Sequence, residues 1–241
     1  MKILFKIARY TIADQLRHKS FYVILALSIG FIFMLRGCYS ADYVINGRQV
    51  DRVASAWLFS RVIFQVIVMG MLLLTSMISM KIFSRDQNDG TVQMFFSRPV
   101  NRWEYVMGRI LGTWIFSSGF MLVLHLTILC IVFLNTRQLI SGYLSASIVC
   151  CVNLLFVVSA VCLFSLFMPD FISAMAVVGI ICTGFVSDGG YKLFSYGAVR
   201  MLAPAIADTA PAEWRIFFPK LFMVQAFGDS FISGKRGPRY I

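Results

Sequence analysis

Two long runs without charged residues constrain this chain more than any other feature. Residues 62–80 contain no Asp, Glu, Lys or Arg for 19 positions, and residues 110–136 contain none for 27. At about 1.5 Å per helical residue, either run is long enough to cross a hydrocarbon layer of about 30 Å, which needs roughly 20 residues. The sequence therefore predicts an all-α membrane protein.

Composition supports a membrane protein throughout the chain. Hydrophobic residues make up 59% of the 241 residues and charged residues 14%, whereas soluble domains have roughly 45–50% and 25%. No Pro/Gly/Ser-rich linker or internal repeat divides the sequence, so we expect a single transmembrane domain over residues 1–241. Much of the net charge of +11 lies beside the apolar runs. There, lysine and arginine orient membrane helices and meet anionic lipid, so we expect lipid and no nucleic acid as a partner.

The apolar runs predict five membrane spans, at residues 20–36, 60–80, 109–134, 139–168 and 171–187. Residues 138–187 contain one charge, Asp170, and as a single helix they would be about 75 Å long. Pro169 beside Asp170 indicates a turn that divides this stretch into two spans. A carboxylate inside the membrane would instead mark an ion path, but the adjacent proline favours the turn.

The N-terminal segment predicts an amphipathic helix on the cytoplasmic face. Five basic residues precede the first apolar run, and apolar residues recur at helical spacing among them: Lys2, Lys6, Arg9, Arg17 and Lys19. The basic residues favour a cytoplasmic N-terminus, which places residues 36–61 outside and residues 81–109 inside. Asn46-Gly47 indicates a short hairpin in the outer loop. A secretory signal with lipid attached at Cys38 is the alternative, but Arg36 fits such a site badly.

Residues 81–109 form a charged insert between two apolar runs. Asn88 or Asp89 is a candidate cap for a short helix that Pro99 ends, and Asn101 is expected to cap a second helix with Glu104 as its partner. The spacing of Val92, Phe95 and Phe96 places these three side chains on one face of the first helix. They would bury against a partner protein or, alternatively, dip into lipid.

The insert resembles the segment between the second and third membrane helices of ABC-2 type transporter permeases. The pattern acidic-x-x-x-G-T-x-E-x-L-L-x-x-P-V-x-R is kept at Asp86, Gly90, Thr91, Pro99, Val100 and Arg102. Gln93 replaces the usual acid, and Phe95-Phe96 replace the aliphatic pair. In that family the segment is the coupling helix, which seats in a groove of a separate ATPase subunit. The resemblance implies docking by Asp86, Gly90, Thr91, Val92, Phe95, Phe96, Arg98, Pro99 and Arg102.

The resemblance also implies a function. The chain would be a multi-pass subunit of the cytoplasmic (inner) membrane, with an N-terminal elbow helix, and would work with a second permease and two copies of the ATPase. It lacks G-x-x-x-x-G-K-[ST], so a partner would hydrolyse ATP, and we expect no catalytic residue, cofactor or metal in this chain. The alternatives are a non-transporting scaffold that recruits a cytoplasmic partner, and a membrane enzyme, for which no convincing side-chain cluster is present.

The remaining residues carry weaker signals. Pro219, Lys220 and Asp229 interrupt the apolar stretch 216–232, so residues 188–241 are expected to form a re-entrant or interfacial tail on the outer face. ABC-2 type permeases usually have six spans, and the sixth is either lost by truncation or absent by design. His125 has no histidine or carboxylate one helical turn away, which favours a residue facing the bundle over a metal ligand or proton relay. The cysteines in apolar runs are expected to act as small hydrophobes.

Overall fold

The structure is a computed structural model, and it describes residues 2–34, 37, 44–45, 48–49, 52–80, 101–137, 142–195 and 219–232. These residues form seven α-helices and one short antiparallel ribbon. The helices are α1 (Lys2–Arg17), α2 (Lys19–Met34), α3 (Arg52–Met80), α4 (Arg102–Thr136), α5 (Gly142–Phe164), α6 (Asp170–Ser195) and α7 (Leu221–Ile232). The ribbon pairs β1 (Val44–Ile45) with β2 (Arg48–Gln49). The predicted helical fold is therefore observed, with the ribbon at the predicted hairpin.

Three described helices are long and apolar enough to cross a membrane. They are α3 through Phe59–Met80, α4 through Arg102–Asn135, and the whole of α5. The apolar pair α1 and α2, which is bent by 70°, adds a fourth crossing if it is counted as one span. Asp170–Val186 of α6 and the whole of α7 are shorter apolar helices. The described residues thus agree with a helical membrane bundle of three to four candidate spans.

The exterior of the bundle is also apolar. On α3, four large hydrophobic side chains at helical spacing are exposed: Val62, Val66, Leu73 and Met77. Further exposed side chains of this kind include Ile148, Val152 and Leu163 on α5. A soluble monomer rarely exposes contiguous apolar surface on this scale. In a bilayer the same side chains face acyl chains or another membrane subunit.

Helix α4 lies at the centre of the bundle, where it packs against α1, α2, α3 and α5. The His125 ring of α4 stacks on Phe64 of α3 with ring centroids 4.7 Å apart. Its Nδ1 atom lies 2.7 Å from Oγ of Ser147 on α5. Further along, Ile110 packs against Val158 and Cys162 of α5. These contacts place α4 and α5 antiparallel.

The bundle has two distinct ends. We call the end where α3 finishes at Met80 and α4 begins at Arg102 the insert end. The opposite end, where α4 finishes and α5 begins at Gly142, is the hairpin end. Helix α5 finishes at the insert end, residues 165–168 form a turn, and α6 begins at Asp170. The predicted break at Pro169-Asp170 is therefore observed, and Asp170 lies in the first turn of a helix.

Helix α7 covers about half the length of α5. Asn153, at the midpoint of α5, donates a hydrogen bond from Nδ2 to the carbonyl of Leu221, the first residue of α7, at 3.1 Å. A methyl group on Gly142, the first residue of α5, would overlap the carbonyl of Phe231 near the end of α7. The 12 residues of α7 thus rise about 18 Å from the middle of the bundle to the hairpin end.

Several helix boundaries differ from the predicted spans. Helix α3 begins at Arg52 rather than near residue 60, and α4 begins at Arg102 rather than 109, because both helices continue beyond their uncharged cores. Helix α5 ends earlier than predicted, at Phe164, where the turn before Pro169 begins. Helix α6 runs past the predicted end at residue 187 and continues to Ser195; Asp188, within this extension, is buried.

Candidate functional site at the insert end

Two of the core helices hold the ends of the insert. Helix α3 ends at Met80, and α4 begins at Arg102, so the insert is joined directly to both helices. Of the nine predicted docking residues, Arg102 is described, and it is exposed in the first turn of α4. The other eight lie outside the described residues: Asp86, Gly90, Thr91, Val92, Phe95, Phe96, Arg98 and Pro99.

Helix α4 starts at the position that the sequence predicts. Asn101 has extended φ and ψ angles of −65° and 135°, and its carbonyl accepts the first helical hydrogen bond from the Tyr105 amide at 3.2 Å. The predicted side-chain cap is wrong, because Asn101 makes no side-chain capping hydrogen bond. Glu104 lies in the first turn, where a negative charge interacts favourably with the helix dipole.

Helix α1 packs closely on the first turns of α4, and we call this contact the α1–α4 junction. A methyl group on Gly108 would lie 2.8 Å from Cβ of Ile7, and one on Gly112 would lie 2.6 Å from Cβ of Thr11. Both distances are shorter than real Cβ contacts, so a larger residue at either position would require α1 and α4 to shift. Glycines four residues apart share one helix face and let another backbone approach closely. The amphipathic helix is therefore attached to α4 as well as covalently to α2.

Arg109 lies inside the α1–α4 junction, with 3% of its surface exposed. Its Nη1 atom donates a hydrogen bond to Oγ1 of Thr11 at 3.3 Å. The guanidinium carbon lies 5.3 Å from the ring centroid of Tyr10 and 5.9 Å from that of Tyr105. Aromatic faces attract a cation at such distances, more strongly where water is excluded. Arg109 thus adds polar contacts between α1 and α4 to the glycine packing.

Buried hydroxyl groups occupy the insert-end halves of α3 and α4. Thr75 and Ser79 lie on α3, and Thr113 and Ser117 lie on α4; all four side chains are almost completely buried. None of the four hydroxyls has a hydrogen-bond partner within the part of the chain that the structure describes. A buried unsatisfied hydroxyl costs about 1–3 kcal/mol. The observed packing at this end is therefore not the most favourable environment for these groups.

Polar contacts at the hairpin end attach α7 to the bundle. Arg61 of α3 and Asp229 of α7 form an ion pair, in which Nε lies 2.6 Å from Oδ1 and 2.7 Å from Oδ2. The Arg61 side chain is 53% exposed and that of Asp229 is 9% exposed. One turn earlier in α7, Gln225 donates from Nε2 to the carbonyl of Gln65 at 3.4 Å. Arg61 and Asp229, which are 168 positions apart in the sequence, thus neutralise each other's charge.

His125 is a core residue that packs among aromatic side chains. It is fully buried, stacks on Phe64, and meets the Tyr143 ring edge-on with centroids 5.5 Å apart. Its hydrogen bond to Ser147 joins α4 to α5. No group of three or more His, Cys, Asp or Glu side chains suited to a metal is found among the described residues. The position agrees with the prediction that His125 faces the bundle.

Sequence reasoning missed the residues that connect elements far apart in the chain. The pattern G-x-x-x-G at Gly108 and Gly112 is visible in the sequence and could have indicated a close helix contact. By sequence alone, Arg109 is one more positive charge at the membrane face, although the structure buries it. No sequence signal pairs Arg61 with Asp229, because the two residues are 168 positions apart.

Comparison of the chain with protein-family models, with characterised proteins and with solved structures finds no match.

Proposed function

We propose that this chain is the membrane subunit of an ABC-2 type ATP-driven transporter, an exporter whose insert docks on a separate ATPase subunit. The observation that carries the proposal is the position of the family-like motif, residues 86–102, between the two long apolar helices α3 and α4. An ATPase bound there would act on the central helix of the bundle.

The length of α4 supports this mechanism. Its 35 residues extend about 52 Å, which exceeds a hydrocarbon layer of about 30 Å by roughly 20 Å. The α1–α4 junction lies in the first turns of α4, at Gly108 and Gly112. Because α4 is longer than the hydrocarbon layer is thick, its first turns would extend beyond the bilayer on the side of the insert. Displacement of the insert would then move α4 and the attached α1 together.

The buried hydroxyls support a bundle that rearranges. Thr75, Ser79, Thr113 and Ser117 lie on the two helices that the insert connects, and each is unsatisfied among the described residues. A rearrangement that exposes these groups to water would recover about 1–3 kcal/mol for each hydroxyl. Such a gain would offset part of the free energy needed to separate the apolar surfaces of α3 and α4. A second arrangement that hydrates these hydroxyls would thus be less costly than the loss of apolar packing alone suggests.

We propose five membrane spans with a cytoplasmic N-terminus and a cytoplasmic insert. The chain would lie in the cytoplasmic (inner) membrane, with the hairpin end at its outer face. Helix α7 would be a re-entrant helix that enters and leaves by the outer face, which agrees with its start at the midpoint of α5. Its Asp229 is paired with Arg61, which reduces the penalty of placing a charge near lipid.

The partners in this proposal are two ATPase subunits and a second permease. The exposed apolar surface of α3, with Val62 and Val66 near the hairpin end and Leu73 and Met77 near the insert end, suits either lipid or the second permease. The transport path would lie between the two permeases. The alternative is a scaffold whose insert recruits a cytoplasmic protein without ATP-driven movement, and an ATPase partner with a P-loop would distinguish the two.

Replacing Phe95 and Phe96 together by glutamate tests the proposal. Buried aromatic anchors commonly cost at least about 2 kcal/mol each when removed, so we expect loss of ATPase co-purification with membrane insertion unchanged. The matched control replaces Gln87 and Gln93 by glutamate, which adds the same charge to the insert and restores the family's acid at position 93. The proposal is wrong if the phenylalanine variant keeps its ATPase.

A further inference from the structure

The exposed surface of α1 has two adjacent flanks of different chemistry. At about 100° per residue, the side chains buried on α4, Ile7, Ala8 and Thr11, mark one side of the helix. Next to them around the helix comes an apolar flank with Phe5 and Leu16, which are 70% and 39% exposed. A basic flank follows, with Arg9, Lys6 and Arg17, all exposed.

The orientation of α1 suits both flanks to a membrane surface. Helix α2 packs into the bundle, where the ring of Phe21 lies 4.9 Å from that of Phe116 and 5.5 Å from that of Phe120. The axes of α1 and α2 are bent by 70°, so an α2 that crosses the bilayer leaves α1 closer to the membrane plane than to its normal. The α1–α4 junction holds α1 in that direction, because Gly108 and Gly112 admit its backbone closely.

We propose that α1 is a binding site for anionic phospholipid. Lys6 and Arg9 are three residues apart on one helical turn, so their side chains are neighbours that can hold one phosphate between them. Phe5 and Leu16, on the apolar flank beside them, would contact the acyl chains. Charge complementarity identifies the occupant, because a zwitterionic lipid offers the same acyl chains without the net negative charge. This site is independent of whether the bundle carries a substrate.

Arg17 and Lys19 extend the basic surface toward α2, and both side chains are exposed. Asp14, the one acid of α1, is partly exposed and lies three residues before Arg17, so it borders the Arg17 side of the basic flank. Lys6 and Arg9 have no acidic residue of α1 three or four positions away. Each basic side chain near an anionic surface contributes about fivefold in affinity, so removal of two should weaken binding about 25-fold.

The test measures phosphatidylglycerol binding to the full chain by native mass spectrometry, with phosphatidylcholine of the same acyl chains in parallel. We compare Lys6→Gln with Arg9→Gln against a matched control, Arg137→Gln with Lys220→Gln, which removes two exposed charges elsewhere. Wild type and control should prefer phosphatidylglycerol, and the α1 variant should lose about 25-fold in affinity for it. The charge-keeping pair Lys6→Arg with Arg9→Lys should retain the preference, which separates charge from folding.

Three outcomes would overturn the site. Equal phosphatidylglycerol affinity in wild type and in the Lys6/Arg9 glutamine variant would show that α1 does not hold the headgroup. Equal affinity of wild type for phosphatidylcholine and phosphatidylglycerol would show that charge plays no part. Displacement of the lipid by inorganic phosphate at the same concentration would indicate a site for a small soluble anion instead.

Discussion

Arg61 and Asp229 are 168 residues apart and form an ion pair in which both carboxylate oxygens contact the guanidinium. The pair links the third turn of α3 to the last turn of α7. Asp229 is the more buried partner, with 9% of its side chain exposed. The contact therefore holds the tail helix at the hairpin end, where it packs against α5 through Gly228 and Phe231.

Loss of one partner of this pair should be worse than loss of both charges. Arg61→Gln should lower the free energy of unfolding in detergent by about 1–3 kcal/mol, because it leaves the Asp229 carboxylate without this guanidinium. Adding Asp229→Asn should recover part of the loss, since two amides can share a hydrogen bond. Arg137→Gln, at an exposed arginine of the same end, is the control and should change little. Additive effects within about 0.5 kcal/mol would show that the pair is not coupled.

The close contact in the α1–α4 junction predicts that a larger residue at Gly112 destabilises the protein, and Gly119 of the same helix provides the control. Gly112→Ala should lower the free energy of unfolding by about 1–3 kcal/mol, because its methyl group would lie 2.6 Å from Cβ of Thr11. A methyl group on Gly119 would meet no atom of another element within 4 Å, so Gly119→Ala should be neutral or stabilise by up to about 1 kcal/mol.

The rate of trypsin cleavage within α1 measures how firmly the junction holds this helix, since α1 contains the cleavage sites Lys6, Arg9 and Arg17. We expect Gly112→Ala to speed cleavage within α1, and Gly119→Ala to leave the rate unchanged. Equal cleavage rates in the two variants would mean that the junction does not restrain α1.

The proposed orientation places Asn46 outside and Gly90 in the cytoplasm. Single cysteines at these positions, in a chain whose native cysteines are replaced, should react differently with a membrane-impermeant maleimide on intact cells. Position 46 should be labelled directly and position 90 only after permeabilisation, while both should react in detergent. Labelling of position 90 alone on intact cells would reverse the topology.

The position of α7 predicts on which side of the membrane the C-terminal residue lies. Helix α7 starts at the midpoint of α5 and returns to the hairpin end, so residue 241 should lie on the same side as the β1–β2 ribbon. Alkaline phosphatase fused after Ile241 should be active, and a fluorescent protein that folds only in the cytoplasm should be dark. The opposite pattern would mean that the chain crosses once more after α6.

The long elements of this fold could be predicted from local sequence, because a span needs only length and the absence of charge. Helices α3, α4 and α5 follow from their uncharged runs, and the turn before α6 follows from Pro169 beside Asp170. The start of α4 after Asn101 follows from the capping pattern, but its continuity with the span expected from residue 109 does not, because charged residues such as Arg109 favour a surface segment there. That arginine is instead buried against Tyr10 and Tyr105.

The candidate site was predicted less completely, because its contacts join distant segments. The motif at residues 86–102 identified the insert, yet the junction that connects it to the bundle depends on Thr11, Gly112 and Arg109. Nothing in the local sequence indicates that these three residues meet. They form the junction only because α1 packs on α4. The sequence predicts a re-entrant or interfacial tail interrupted by charges such as Asp229, and the pairing of Asp229 with Arg61 is not visible from spacing.

Photo-crosslinking from position 95 tests the central claim most directly. A benzoylphenylalanine replaces Phe95 in the full chain, expressed in its native membrane with its neighbouring genes, and the adducts are identified by mass spectrometry. The same probe at Phe5, an exposed residue of α1, is the control and should yield lipid adducts. We predict that position 95 crosslinks to a polypeptide containing a P-loop. Adducts to lipid alone, or to a protein without a P-loop, would contradict the assignment of this chain as an ATP-driven permease.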